Sequence, residues 1–138
     1  MKLSALYQIF LDCQSVTTDS RNCPDGSLFI ALKGESFNGN AFAKLALDSG
    51  CAFAIIDEIQ YAVEGDQRYI LVDDCLQTMQ QLANYHRRQL GTRVIGITGT
   101  NGKTTTKELI SSVLCQAHNV LYTLGNLNNH IGVPTTLL

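Results

Sequence analysis

Much is missing from these 138 residues, and each gap excludes something. There is no run of lysines or arginines and no acidic tail, and the formal net charge is -2, so nothing marks a non-specific nucleic-acid binder. No apolar run approaches the ~20 residues that a membrane span needs. The N-terminal "MKLSALYQIFLDCQS" is broken by Ser4, Tyr7, Gln8 and Asp12 and lacks a small-x-small cleavage site, so it reads as an amphipathic helix and not as a secretion signal. These absences predict a cytoplasmic protein. The five cysteines (Cys13, Cys23, Cys51, Cys75 and Cys115) are odd in number and include no C-x-x-C pair. That count does not point to a zinc or disulfide framework, and the expectation is reduced, mostly buried thiols. There are no repeats and no low-complexity tract.

What is present is an apolar fraction of 45%, enough for a real core. Leu3, Leu6, Tyr7, Phe10 and Leu11 recur at helical spacing over residues 2–13. Pro24 and Gly26 punctuate a turn after "VTTDSR". Buried strands are predicted at 27–34 ("SLFIALKG"), 51–57 ("CAFAIID") and 68–74 ("RYILVDD"). Helices are predicted at 41–49, stopped by Gly50, and over "CLQTMQQLANYHRRQL", capped by Asp73 or Asp74 and ended by Gly91. Alternating strands and helices predict an α/β fold with a mostly parallel sheet.

The pattern restarts near residue 92. "RVIGIT" reads as a strand, "GTNGK" as a turn, "TTTKELISSVLCQAH" as a helix and "NVLYTL" as a second strand, followed by the polar loop "GNLNNHIGVP" and a final "TTLL". One strand–loop–helix–strand unit cannot cover both faces of a parallel sheet. The expectation is therefore a first domain over residues 1–92 and, over 93–138, the start of a second, truncated domain that is loosely held or packs on another copy.

"GTNGKT" has the elements of a phosphate loop. The general form is G-x-x-x-x-G-K-[ST], which this stretch misses by one residue because Ile97 stands where the first glycine belongs. The context is right, with an apolar run before the turn and a helical pattern after it. Glycines let successive N–H groups point inward, and the helix N-terminus adds its positive end. Lys103 can neutralise β- and γ-phosphate charge, and Thr104 can hold Mg²⁺ through its hydroxyl. The plain alternative, a Gly-rich turn with a surface lysine, leaves three consecutive threonines after Lys103 unexplained.

"TGTNGKTTTKE" together with "GNLNNHIGVP" resembles the Mur ligases of peptidoglycan synthesis. "TTDSR" and "GSLFIALKG" match the uridine-nucleotide domain of that family, so the resemblance covers the whole chain. Lys107, Glu108 and the paired Asn128 and Asn129 make the chain look most like the member that joins D-alanyl-D-alanine to a UDP-N-acetylmuramoyl-tripeptide. The alternatives are the member that adds the third amino acid, or a uridine-nucleotide or phosphate-binding module without catalysis. The resemblance implies ATP and Mg²⁺ as cofactors, and an acyl phosphate formed on the tripeptide carboxylate and attacked by the dipeptide amine. It assigns Gly99, Thr100, Asn101, Gly102, Lys103, Thr104 and Thr105 to ATP, with Lys103 and Thr104 catalytic and Thr104 on the metal. It implies a three-domain enzyme, monomeric in full length, of which this chain alone is inactive. Two departures stand out: Asn40 where the family often has histidine, and Thr135 where it usually has an aliphatic residue.

Substrate contacts are expected from Ser20, Arg21, Lys33, Asn126, Asn128 and Asn129. Each has a plainer role open to it. Asp19 could cap the turn and leave Arg21 solvated. Lys33, at a strand's carboxyl end, could steer an anion or be an isolated surface lysine. Asparagines suit turns for backbone reasons, although three within four residues favours ligand contact. His130 reads as a solvated loop residue, and His86 and His118 have no partner at metal-ligand spacing.

Overall fold

The structure is a computed structural model and describes residues 2–125 and 127–138. Four strands, β1 (Val16–Thr17), β2 (Leu28–Ile30), β3 (Phe53–Ile56) and β4 (Tyr69–Leu71), form one sheet in the order β1-β2-β3-β4 with every pair parallel. Leu28 lies opposite Val16 on one side and opposite Phe53 on the other, and Ala54 lies opposite Tyr69. The three apolar runs become β2, β3 and β4, each trimmed to its central residues. The whole of β2 is buried, which is why its sequence is continuously apolar instead of alternating.

Helices α1 (Leu3–Asp12), α2 (Ala43–Asp48, after a 3-10 turn at Gly39–Phe42) and α3 (Cys75–Leu90) surround the sheet. The carboxylate of Asp74 accepts the N–H of Gln77 at 2.7 Å and so caps α3. Gly91 ends α3 with φ +61°, a left-handed conformation that a side chain would resist. Helix α1 packs on α3 through aromatic contacts. The Tyr7 hydroxyl lies 3.1 Å from His86 Nδ1, and Tyr7 meets Tyr85 edge-on at 4.9 Å. The core is made of Leu28, Phe29, Ile30, Ile55, Ile56, Met79 and Leu82 with their neighbours. Among the described residues no helix is long and apolar enough to cross a membrane.

Beyond residue 92 the structure departs from expectation. Helix α4 (Lys103–Leu114) forms, but "RVIGIT" and "NVLYTL" are not strands. Among the described residues they pair neither with each other nor with the sheet, and Val94, Ile95, Leu121 and Leu124 stay exposed. A helix satisfies its backbone internally, whereas a strand needs a neighbour, and the apolar pattern alone supplies none. Helix α4 also stops short of the expected residue 118. Its end tightens into turns in which Gln116 N–H donates to Val113 O and Ala117 N–H to Leu114 O.

A short helix, α5 (Gly132–Leu137), stands where the end of a polar loop was expected. Asn129 Oδ1 accepts the N–H groups of Ile131 at 3.1 Å and Gly132 at 2.7 Å. Pro134 falls in the first turn, where its missing N–H has no consequence. The divergent Thr135 donates its hydroxyl to Ile131 O at 2.8 Å, which makes it harmless in a helix. Helix α5 packs on α3, Ile131 and Leu138 lie against the core, and Gln80 Nε2 donates to His130 O at 3.0 Å. The end of the chain therefore docks on its own first unit.

Candidate functional site

Gly102 precedes α4 with φ +75° and offers no side chain to cap it. The first hydrogen bond of the helix runs from Thr106 N–H to Gly102 O at 2.8 Å. The N–H groups of Lys103, Thr104 and Thr105 have no acceptor among the described residues. The hydroxyls of Thr104 and Thr105 likewise make no hydrogen bond there, and both residues are exposed. Lys103 curls back and its Nζ donates to Gly99 O at 2.5 Å, closing the loop Gly99–Thr100–Asn101–Gly102 on itself. The result is a helix start with free donors, a positive end and an adjacent ammonium, chemistry suited to an anion.

The other expected contacts are dispersed. In the turn after β1, Thr17 Oγ1 donates to Asn22 O at 2.8 Å. Asp19 accepts the Arg21 N–H at 3.0 Å and holds its guanidinium through Nε at 2.9 Å and a second nitrogen at 2.8 Å. Those hydrogen bonds from Arg21 pull Asp19 down to about 2. Arg21 is thus folded onto its own turn, with its side chain 87% exposed. Ser20 lies beside it, and its carbonyl accepts the Cys23 thiol at 3.4 Å.

Lys33 follows β2 and is not isolated. Its Nζ lies 3.0 Å from Asp57 Oδ1 and 3.2 Å from Glu58 Oε1, and the bond to Asp57, then that to Glu58, raises its pKa. Asp57 closes β3, and its side chain is only 5% exposed. It also accepts Asn40 Nδ2 at 2.8 Å and the N–H of Cys75 at 3.2 Å. Burial pushes Asp57 up, but these bonds outweigh it and the group is held below the ordinary carboxylate range. Asn40 is buried with both ends of its amide used, since Oδ1 accepts Asp57 N–H at 3.0 Å and Nδ2 also donates to Asn38 Oδ1 at 2.8 Å. It ties the 33–40 loop to β3. The sequence reading did not find this cluster. Its signal was the acidic pair closing the apolar run "CAFAII" at a strand's carboxyl end.

Asn126 lies outside the described residues. Asn128 is exposed, and Asn129 caps α5 as above. His130 is exposed as expected. No group of three or more metal-ligating His, Cys, Asp or Glu side chains occurs among the described residues. All five cysteines are free, but only Cys51 and Cys75 are buried and Cys115 is exposed, which corrects the expectation of mostly buried thiols; burial pushes Cys75 up to about 12 and Cys23 up to about 11, which suits unreactive thiols at those two positions.

The family model described as "Mur ligase family, catalytic domain" matches residues 12–87, more than half of the chain, and "Mur ligase middle domain" matches 97–138. The UDP-N-acetylmuramoyl-tripeptide--D-alanyl-D-alanine ligase of Bacillus subtilis (strain 168) is 48% identical over 123 residues, covering 89% of this chain and 27% of that protein. The Escherichia coli (strain K12) ligase of the same name is 42% identical over 124 residues, covering 90% and 27%. A crystal structure of MurF from Acinetobacter baumannii superposes with TM-score 0.83 at 34% identity, covering 99% of this chain and 32% of that one. The MurF ligase of Thermotoga maritima in complex with ADP gives 0.81 at 30% identity, covering 93% and 29%. The chain spans less than a third of the length of these relatives, but sequence and fold agree: it belongs to the Mur ligase family.

Proposed function

We propose that this chain is the substrate-binding domain (residues 1–92) and the opening of the ATP-binding domain (93–138) of a cytoplasmic, ATP-dependent ligase of peptidoglycan precursor synthesis. The reaction would join D-alanyl-D-alanine to UDP-N-acetylmuramoyl-tripeptide, as the names of the relatives say of those proteins. The observation that carries the reading is the uncapped start of α4 with Lys103 beside it, in the family whose Thermotoga maritima member is seen with ADP.

In this reading the N–H groups of Lys103, Thr104 and Thr105 receive phosphate oxygens. Lys103 exchanges Gly99 O for the nucleotide and holds charge on the transferring phosphoryl group. The free hydroxyl of Thr104 is a hard oxygen donor and fits Mg²⁺, which takes one or two protein ligands and completes its shell with phosphate and water. Bound there, the ion would offset negative charge on the phosphates. The loop supplies no nucleophile, so the carboxylate of the tripeptide and the amine of the dipeptide perform the two attacks. Asn128, by its place beyond "NVLYTL", is assigned to the substrate or nucleotide phosphates, as is Asn129 if its cap opens. Ser20 is assigned to the uridine-nucleotide substrate. Arg21 and Lys33 join it only by exchanging carboxylate partners that they already hold.

Calorimetric titration of Mg·ATP and of UDP-N-acetylmuramoyl-tripeptide, each into wild type and Lys103→Ala, tests the assignment. The variant is expected to lose nucleotide binding and keep the uridine ligand. Unchanged nucleotide binding would remove the phosphate-loop reading.

A further inference from the structure

Lys107 is the lysine that the phosphate chemistry leaves unused. It lies one turn after Lys103 on α4, yet its side chain is only 13% exposed, unusual for a residue that is rarely buried unless paired. Its Nζ donates to Thr123 O at 2.5 Å, lies 2.8 Å from Glu108 Oε1, and stands 5.7 Å from the centre of the Tyr122 ring. Among the described residues this is the sole hydrogen bond from α4 to anything after residue 118. Because "NVLYTL" has no strand ladder, nothing else of that kind ties it to the helix.

We propose that Lys107 is a positioning residue for the phosphate site. It fixes the start of α4 against the segment that leads, two residues after Thr123, into the asparagine loop. The inference rests on the nucleotide reading above and goes beyond it. One ammonium ties α4, whose start carries the free N–H groups, to the segment that precedes Asn128 and Asn129. Three features make the device specific. A backbone carbonyl as acceptor cannot be lost by mutation, the ring of Tyr122 favours a cation, and Glu108, from the solvent side, balances the charge.

The test uses the 138-residue chain with Mg·ADP as probe. Affinity is read by calorimetry, and the amide shifts of residues 99–105 and 125–129 by NMR. Lys107→Met, which keeps the stem and removes the charge, is expected to weaken Mg·ADP by about 10- to 100-fold, the scale on which misplaced supports of a site act. It should also decouple the shifts at 125–129 from nucleotide addition. Lys107→Arg, with a cation and donors retained, is expected to restore most of both. If Lys107→Met only lowers the unfolding midpoint, with affinity and the 125–129 response unchanged, the residue is merely structural and the proposal is overturned. Loss of binding in Lys103→Ala beside unchanged binding in Lys107→Met overturns this proposal alone. Binding unaffected in both variants overturns the phosphate reading and this proposal together.

Discussion

"FAII" and "RVIGIT" both carry β-branched residues that suit strands, yet one is the centre of a sheet and the other is irregular and mostly exposed. The difference lies outside both segments. β3 has β2 on one side and β4 on the other, with Ile55 opposite Ile30 and Ile70. Residues 93–98 have no such neighbour among the described residues. Helix α4 lies between these extremes, because its ladder is internal and it forms even though Leu109 and Val113 face solvent. Local structure that closes on itself is present throughout the chain, and structure that needs a partner is confined to the first unit and to the α5 contact with it.

The widest gap should appear when the same truncation is made in both regions. Leu82, on α3, is fully buried in the core, whereas Val113, on α4, is 71% exposed. Leu82→Ala is expected to cost about 2–5 kcal/mol of unfolding free energy. Val113→Ala should change it by no more than about 0.5 kcal/mol. Urea denaturation followed by circular dichroism reads both. Comparable losses would mean that α4 is packed in solution and would erase the contrast.

The same distinction explains how much was legible in the sequence. The sheet unit was readable because every signal agreed: continuous apolar strands, Asp74 before α3 and Gly91 after it. The turn into α4 was readable because its glycines and the helical pattern after it are local signals. Helix α5 was missed because Gly132, Pro134 and two threonines look like a loop, and only the cap by Asn129 and the docking on α3 make them a helix. The Asp57 cluster was missed because it joins residues from three separate segments. Asn40 looked like a mere departure from the family's histidine and is a fully bonded strut.

Asp57 allows a finer test, since it fastens the loops of the first unit. Its folded pKa lies below the ordinary value of about 3.9, so its stabilising effect is complete above about pH 4 and is lost as pH falls through the folded pKa. Asp57→Asn is expected to cost about 1–3 kcal/mol at neutral pH, as a buried acceptor of charged and amide donors is weakened. It should also flatten the stability curve below pH 4. Asp19 and Asp66, likewise held low, keep part of the acid dependence in the variant. A curve parallel to that of wild type down to pH 2, measured by thermal unfolding, would show that Asp57 does not titrate as the structure requires.

The smallest effect is expected where the two regions meet. Asn129 was assigned to ligand from its neighbours in sequence, and in the structure its Oδ1 holds the N–H groups of Ile131 and Gly132. Removing such a cap costs about 0.5–2 kcal/mol of helix stability. Helix α5 is only six residues long and is held in place by α3 and by Ile131 and Leu138 against the core, so the loss should remain local. Asn129→Ala should therefore speed hydrogen exchange at 131–138 while exchange in β2 and β3 stays at the wild-type rate. Asn129→Asp, which keeps an acceptor oxygen, should restore protection. Faster exchange spreading into Leu28–Ile30 would mean that α5 supports the sheet. Unchanged exchange at 131–138 would mean that the cap is dispensable, leaving Asn129 free for the ligand role that its sequence neighbours assign to it.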